Sequence, residues 1–241
     1  MAPRDPILVV DDIHTYYGDS YVLQGISLAV QPEQVFAVLG RNGMGKTTLI
    51  RSILSLTPPA RGTVRYQGRD LTGMPAYRIA RLPIGLVPQG RRVFGSLTVR
   101  ENLTLPQSAL SGVTRKPRWT LERVYELFPG LSERARQMAG SLSGGEQSML
   151  SISRALMRDP DLLVMDEPTE GLAPVIVREI EAIIKRLRAE GLPVLLVEQN
   201  YRLAMALADE VAILAGGKTV WTGTPAALQA DDSARARWLG V

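Results

Sequence analysis

Gly40-Arg41-Asn42-Gly43-Met44-Gly45-Lys46-Thr47 decides how this chain is read. The glycine spacing, with lysine and threonine at the end, is that of a phosphate-binding P-loop. Its setting is the required one. Residues 34–39 are an apolar strand leading into it, and residues 46–56 have a helical pattern closed by Pro58-Pro59. Glycines let the backbone curl so that successive N–H groups point at phosphate oxygens, and the following helix adds its positive end. Lys46 brings a full charge to the outer phosphates and Thr47, followed by Thr48, places a hydroxyl on Mg²⁺. Gly40, Arg41, Asn42, Gly43, Met44, Gly45, Lys46, Thr47 and Thr48 are therefore the candidate nucleotide-binding residues.

Downstream, Leu162-Leu163-Val164-Met165-Asp166-Glu167 is a fully apolar strand ending in two carboxylates. Continuous apolarity is expected of a strand buried in a parallel sheet. Asp166 fits the magnesium position of a P-loop enzyme. Glu167 is offset by one residue and points elsewhere, toward a water for in-line attack on the terminal phosphate.

The rest of the chain supplies a frame. Residues 7–12, 21–30 and 62–67 read as strands, and 194–197 as another buried one. Residues 210–214 and 219–222 read as a closing hairpin around Gly216-Gly217, preceded by a helix at 201–208. Residues 143–158 and 174–190 read as long helices, the second with proline at its start. Between about 98 and 138 the pattern is helical, at 99–105, 120–128 and 133–138, with Pro106, Pro117 and Pro129 in separating loops. The pattern reads as α/β, with a helical insert between two halves of a strand-rich domain. The 241 residues are enough for one large α/β domain or for two small ones packed together.

Composition narrows the function classes. With no cysteine, disulfides and thiol chemistry are excluded. The net charge of +4 is nearly balanced, and Gly90-Arg91-Arg92 is too short for a nucleic-acid-binding arm, so no nucleic acid partner is expected. No run of about 20 apolar residues spans a bilayer, and residues 1–6 lack a signal-peptide core. A membrane process would need its membrane part from another chain.

Leu142-Ser143-Gly144-Gly145-Glu146-Gln147 is a helix start, with Ser143 as N-cap and two glycines exposing N–H groups. Here the chain closely resembles the ABC transporter ATPase family, whose signature is this hexapeptide. P-loop, signature and Asp-Glu strand follow in the family's order, and the resemblance runs from about residue 7 to 228. It implies an α/β fold with a P-loop core and mostly parallel sheet, an N-terminal antiparallel β subdomain and an inserted α-helical subdomain. Residues 1–241 would then be a single ABC ATPase domain, with core and β subdomain at about 7–97 and 139–230 and the helical subdomain at about 98–138. The implied cofactors are ATP and Mg²⁺. The resemblance also implies that two such domains pair head to tail, Ser143, Gly144 and Gly145 of one contacting the γ-phosphate in the other. Gln89, in Val87-Pro88-Gln89-Gly90, resembles the glutamine that touches Mg²⁺ and water, and Tyr17 the aromatic that stacks on adenine; Tyr16 is the rival. The implied partners are a second ABC ATPase, two transmembrane permease subunits and, indirectly, an extracytoplasmic substrate-binding protein. The implied location is the cytoplasmic face of the cell membrane.

Two positions depart from the family pattern. Gln199 stands where most members carry a histidine against the γ-phosphate; its amide still donates a hydrogen bond but cannot be an imidazolium. Ala173 stands where an aspartate is usual. These departures, with DEPTEGLAP, LVEQN and VPQGRRVF, resemble the second ATPase of branched-chain amino-acid importers, with urea and short-chain amide importers close. A non-transport ABC ATPase is the other reading. It usually has two ATPase domains or a long coiled coil, neither of which this sequence shows.

Overall fold

A computed structural model describes residues 5–106 and 117–240. The expected helical insert therefore falls partly outside the described residues, at 107–116, as do residues 1–4 and Val241.

Two sheets form the frame. β1 (Leu8–Tyr17) pairs antiparallel with β2 (Ser20–Val30) and with β4 (Arg61–Tyr66), and β5 (Arg69–Asp70) closes that sheet in the order β2-β1-β4-β5. The second sheet has β3 (Val35–Leu39), β6 (Ile84–Val87), β7 (Leu162–Asp166), β8 (Val194–Glu198), β9 (Glu210–Ala215) and β10 (Lys218–Gly223). Its order is β10-β9-β3-β8-β7-β6, parallel except for the β10 edge. The apolar runs VFAVL, LLVMD and VLLVE are buried at every position, as strands covered on both faces must be.

Helix α1 (Lys46–Ile53) lies between the sheets. Leu49, Ile50 and Ile53 join Leu8, Ile13, Leu23 and Ile26 of the antiparallel sheet and Val38, Val164 and Val197 of the parallel one in a single apolar cluster. The opposite face of the parallel sheet packs on α6 (Gly144–Leu156) and α7 (Pro174–Ala189), which extend the core to α4 (Leu121–Leu127) and α5 (Pro129–Glu133) through Val124, Phe128 and Leu131. Two short helices, α2 (Ala76–Ile79) and α3 (Val99–Thr104), flank β6 in sequence, α3 on the C-terminal side. Beyond β8 come α8 (Tyr201–Leu207), α9 (Pro225–Ala230) and α10 (Asp232–Ala234). The C-terminal turn after α10 packs Trp238 and Leu239 back on Ala37, Leu39 and Ile213, so it caps this chain's own core.

Three expectations change. The helix expected at 133–138 ends at Glu133, and Pro129, read as a loop residue, sits in its first turn, where its fixed φ suits a helix start. The chain after Glu133 serves α3 instead. The carbonyls of Ala135 and Gln137 accept from Arg100 and Val99 (2.9 Å each), satisfying donors at the start of that helix. The first strand, expected at 7–12, runs on to Tyr17 through register shifts, with Asp12 at φ 45°. β6 had no counterpart in the sequence pattern, because Gly85 interrupts the apolar run Ile84–Val87.

Candidate functional site

The P-loop follows the central strand β3 and takes the shape that its glycines permit. Gly45, the residue before α1, has φ 103°, and a Cβ there would stand 2.8 Å from Leu23. At Gly40 a Cβ would meet the Leu214 carbonyl oxygen at 2.5 Å, so the loop lies against β9 with no room for a side chain. Because Gly45 has no side chain to cap α1, the helix begins with uncapped backbone donors, the arrangement that receives phosphate.

Lys46 is 4% exposed and its ammonium is bound on three sides. It donates to the carbonyls of Gly40 (2.8 Å) and Arg41 (2.9 Å) and pairs with Glu167 Oε1 at 2.9 Å. Glu167 reaches back to Lys46 from a left-handed backbone, φ 47°. A non-glycine residue held there costs about 1–3 kcal/mol, and such strain gathers at functional positions.

Thr47 Oγ1 lies 3.3 Å from Asp166 Oδ1 and 3.4 Å from Gln89 Oε1. β7 is not the neighbour of β3, since β8 lies between them. Asp166 still reaches the P-loop because α1 leans across β8 onto β7. Burial pushes the Asp166 carboxyl up to about 6; the charges of Glu167 and Glu170 add to this, while the Thr47 hydroxyl and Lys46 oppose it. The Thr47 hydroxyl, the Gln89 amide oxygen and one Asp166 carboxylate oxygen are a donor set that fits Mg²⁺. That ion takes one or two carboxylates and completes its shell with phosphate and water.

A cavity of about 270 Å³ is lined by Val22, Asn42, Gly43, Gly45, Lys46, Thr47, Thr48, Gln89, Glu167 and Glu170. The structure thus brings Gln89, from the segment after β6, and Glu167, from the end of β7, to the P-loop. Asp166 joins them through Thr47.

Other sequence candidates lie apart. Tyr17 stands beside α1, its hydroxyl accepting from Thr57 Oγ1 at 3.4 Å, whereas Tyr16 stacks on Tyr21 with centroids 4.5 Å apart. Neither lines the P-loop cavity; Val22 does. Gln199 is exposed, and its N–H donates to Glu198 rather than into the cavity. Ser143 caps α6 reciprocally with Glu146: Glu146 N donates to Ser143 Oγ (3.3 Å) and Ser143 N to Glu146 Oε2 (2.8 Å). That backbone bond from Ser143 holds the Glu146 carboxyl below its usual range. Gly144 lies under the Arg91 guanidinium, where a Cβ would sit 2.5 Å from Nη1, and Gly145 packs on Ile176 of α7. Ser143, Gly144 and Gly145 do not line the cavity of their own P-loop.

Two carboxylates near the site receive no role from the sequence, although they lie in the DEPTEGLAP and LVEQN segments. Glu170 lines the cavity, and Glu198, 2% exposed, ends β8. The only sequence signal for them is an acidic residue soon after a buried apolar strand, the signal that marked Asp166 and Glu167.

A family model described as ABC transporter matches residues 23–170. Over 237 residues the chain is 44% identical to the high-affinity branched-chain amino acid transport ATP-binding protein BraG of Pseudomonas aeruginosa, covering 97% of this chain and all of that one. It is 31% identical over 250 residues to the high-affinity branched-chain amino acid transport ATP-binding protein BraF of the same organism, covering 98% of each. A solved nucleotide-free ATP-binding cassette from an ABC transporter superposes with a TM-score of 0.83 at 26% identity, over 98% of this chain and 99% of that one. With the P-loop, the Asp-Glu strand and the two-sheet frame in place, the chain belongs to the ABC transporter family and is one of its ATP-hydrolysing subunits.

Proposed function

We propose that this subunit powers the import of branched-chain amino acids. The observation that carries the reading is the 44% identity to BraG along the whole of both chains. No helix among the described residues is long and apolar enough to cross a membrane. In this reading the chain sits on the cytoplasmic face of two permease subunits, fed from outside by a substrate-binding protein. Its ATPase partner is a BraF-like chain.

The residue roles are those that the resemblance to the family implies. The Gly40–Thr48 backbone and Lys46 hold the phosphates, and Tyr17 faces the adenine. Thr47, Asp166 and Gln89 would hold Mg²⁺, which would supply charge against the phosphates. Glu167, released from Lys46 when a phosphate takes that ammonium, accepts the proton of the attacking water. Ser143, Gly144 and Gly145, which do not reach this chain's own cavity, complete the nucleotide site of the partner. Gln199 serves as an uncharged donor on the phosphate side. The chain works as one ABC ATPase domain, with a core at about 7–97 and 139–230 and a helical insert at about 98–138.

The test is reconstitution in proteoliposomes with a BraF-like ATPase, the two permeases and the binding protein. Leucine, isoleucine or valine offered on the binding-protein side should stimulate ATP hydrolysis and cross the membrane. Stimulation by urea or a short-chain amide alone, or by nucleic acid without membranes, overturns the assignment.

A further inference from the structure

Behind the P-loop carboxylates lies a second pair that chain order conceals. Glu198 accepts four hydrogen bonds: from Thr169 Oγ1 (2.7 Å) and Thr169 N (3.3 Å), and from the backbone N–H groups of Gln199 and Asn200 (3.0 Å each). Such a buried carboxylate, saturated with donors, fixes Thr169 in place. The next residue, Glu170, is thereby set at the lip of the P-loop cavity, and it also lines the neighbouring cavity against α6.

From that position Glu170 Oε2 accepts from Gln89 Nε2 at 2.9 Å. Glu167 Oε2 receives the same nitrogen at the longer distance of 3.3 Å, while its other oxygen is held by Lys46. With its nitrogen tied to carboxylates, the Gln89 amide presents Oε1 to Thr47. A glutamine amide is almost symmetric in shape, so its neighbours alone decide which end faces a site. The decision matters here, because Mg²⁺ accepts oxygen ligands and an NH₂ group offers it none.

We propose that Glu170 is a positioning residue that holds the Gln89 side-chain oxygen toward Thr47 and Asp166, so that oxygen and not nitrogen faces the divalent cation. The inference rests on the reading of residues 40–48 as an ATP site. Glu170 is exposed, so its replacement leaves the core packing untouched.

The experiment uses the full-length chain, saturating ATP and a titration with Mg²⁺, read as the rise in thermal midpoint rather than as turnover. Glu170→Ala should raise the Mg²⁺ concentration at half-effect by about 10-fold, the scale seen when an outer-shell partner is lost. The shift with ATP in EDTA should not fall below that of the parent chain, because the substitution removes a negative charge from the cavity lining. Glu170→Gln, whose Oε1 still accepts, should restore most of the Mg²⁺ response. Gln89→Ala should reproduce the loss, and adding Glu170→Ala to it should change nothing more. A parental Mg²⁺ response in Glu170→Ala, or losses that multiply in the double variant, overturns the positioning role and leaves the ATP site standing. An unsubstituted chain that ATP fails to stabilise, with or without Mg²⁺, overturns the ATP site and the positioning role together.

Discussion

Asp166→Asn should make the nucleotide-free protein more stable at pH 7, although it removes a residue proposed for the magnesium site. Asp166 is 3% exposed, and burial lifts its carboxyl from an ordinary 3.8 to about 6. The folded chain therefore holds this proton more tightly than the unfolded chain does. Between pH about 4 and about 6 stability falls as pH rises, and above that window the ionised group costs the full difference. Two pKa units correspond to about 3 kcal/mol, which water entering the open cleft reduces to about 1–2 kcal/mol. The asparagine has the same shape, its Oδ1 still accepts from Thr47, and it carries no charge to repel Glu167 and Glu170. In scanning calorimetry the variant should melt about 2–8 °C higher at pH 7, with the gain shrinking toward zero near pH 4. The added stabilisation by Mg²⁺ with ATP should disappear. A variant that melts lower at pH 7, or whose gain does not change with pH, would show that the Asp166 charge is not the strained element of the site.

Glu167→Gln should retain ATP binding and lower turnover by about 10²–10⁴-fold, with an ATP-loaded dimer accumulating in gel filtration in the presence of its partner ATPase; undiminished turnover counts against the general-base role. Lys46→Ala should abolish measurable binding of a fluorescent ATP analogue, because the one charge bound to Gly40, Arg41 and Glu167 is removed. Gly40→Ala should cost about 1–3 kcal/mol in urea denaturation, since its Cβ meets the backbone oxygen of Leu214 and not a side chain that can turn away. Ser143→Ala should cost about 1 kcal/mol through the lost cap of α6, and a larger effect on partner-dependent hydrolysis than on melting would separate the capping role from the trans contact.

What was legible in the sequence was local. The P-loop declares itself because glycines at fixed intervals, a preceding apolar strand and a following helix are all read within one short stretch of chain. The strands Leu162–Asp166 and Val194–Glu198 declare themselves by unbroken apolarity, which only a doubly covered sheet explains. The sheet order was not legible. That β8 separates β3 from β7, so that Asp166 meets Thr47 only because α1 leans across, depends on packing between segments far apart in the chain. The same limit hid the turn at 134–138, whose carbonyls serve a helix well upstream.

Glu170 and Glu198 show why the site itself was only half readable. In the sequence each is an acidic residue after a buried strand, and either belongs equally well to a solvated turn. Their difference comes from burial. Glu198 lies where water cannot reach it, and burial pushes its carboxyl up against the pull of its four donors. Glu170 stays exposed on one side and takes its place from Thr169. Gln199 is seated by its backbone N–H on the same Glu198 carboxylate. The polar order of this half of the site therefore rests on carboxylates fixed by backbone donors. Substitutions at Thr169 or Glu198 should accordingly disturb Gln89 and Gln199 together, although the two glutamines lie on loops far apart in the chain.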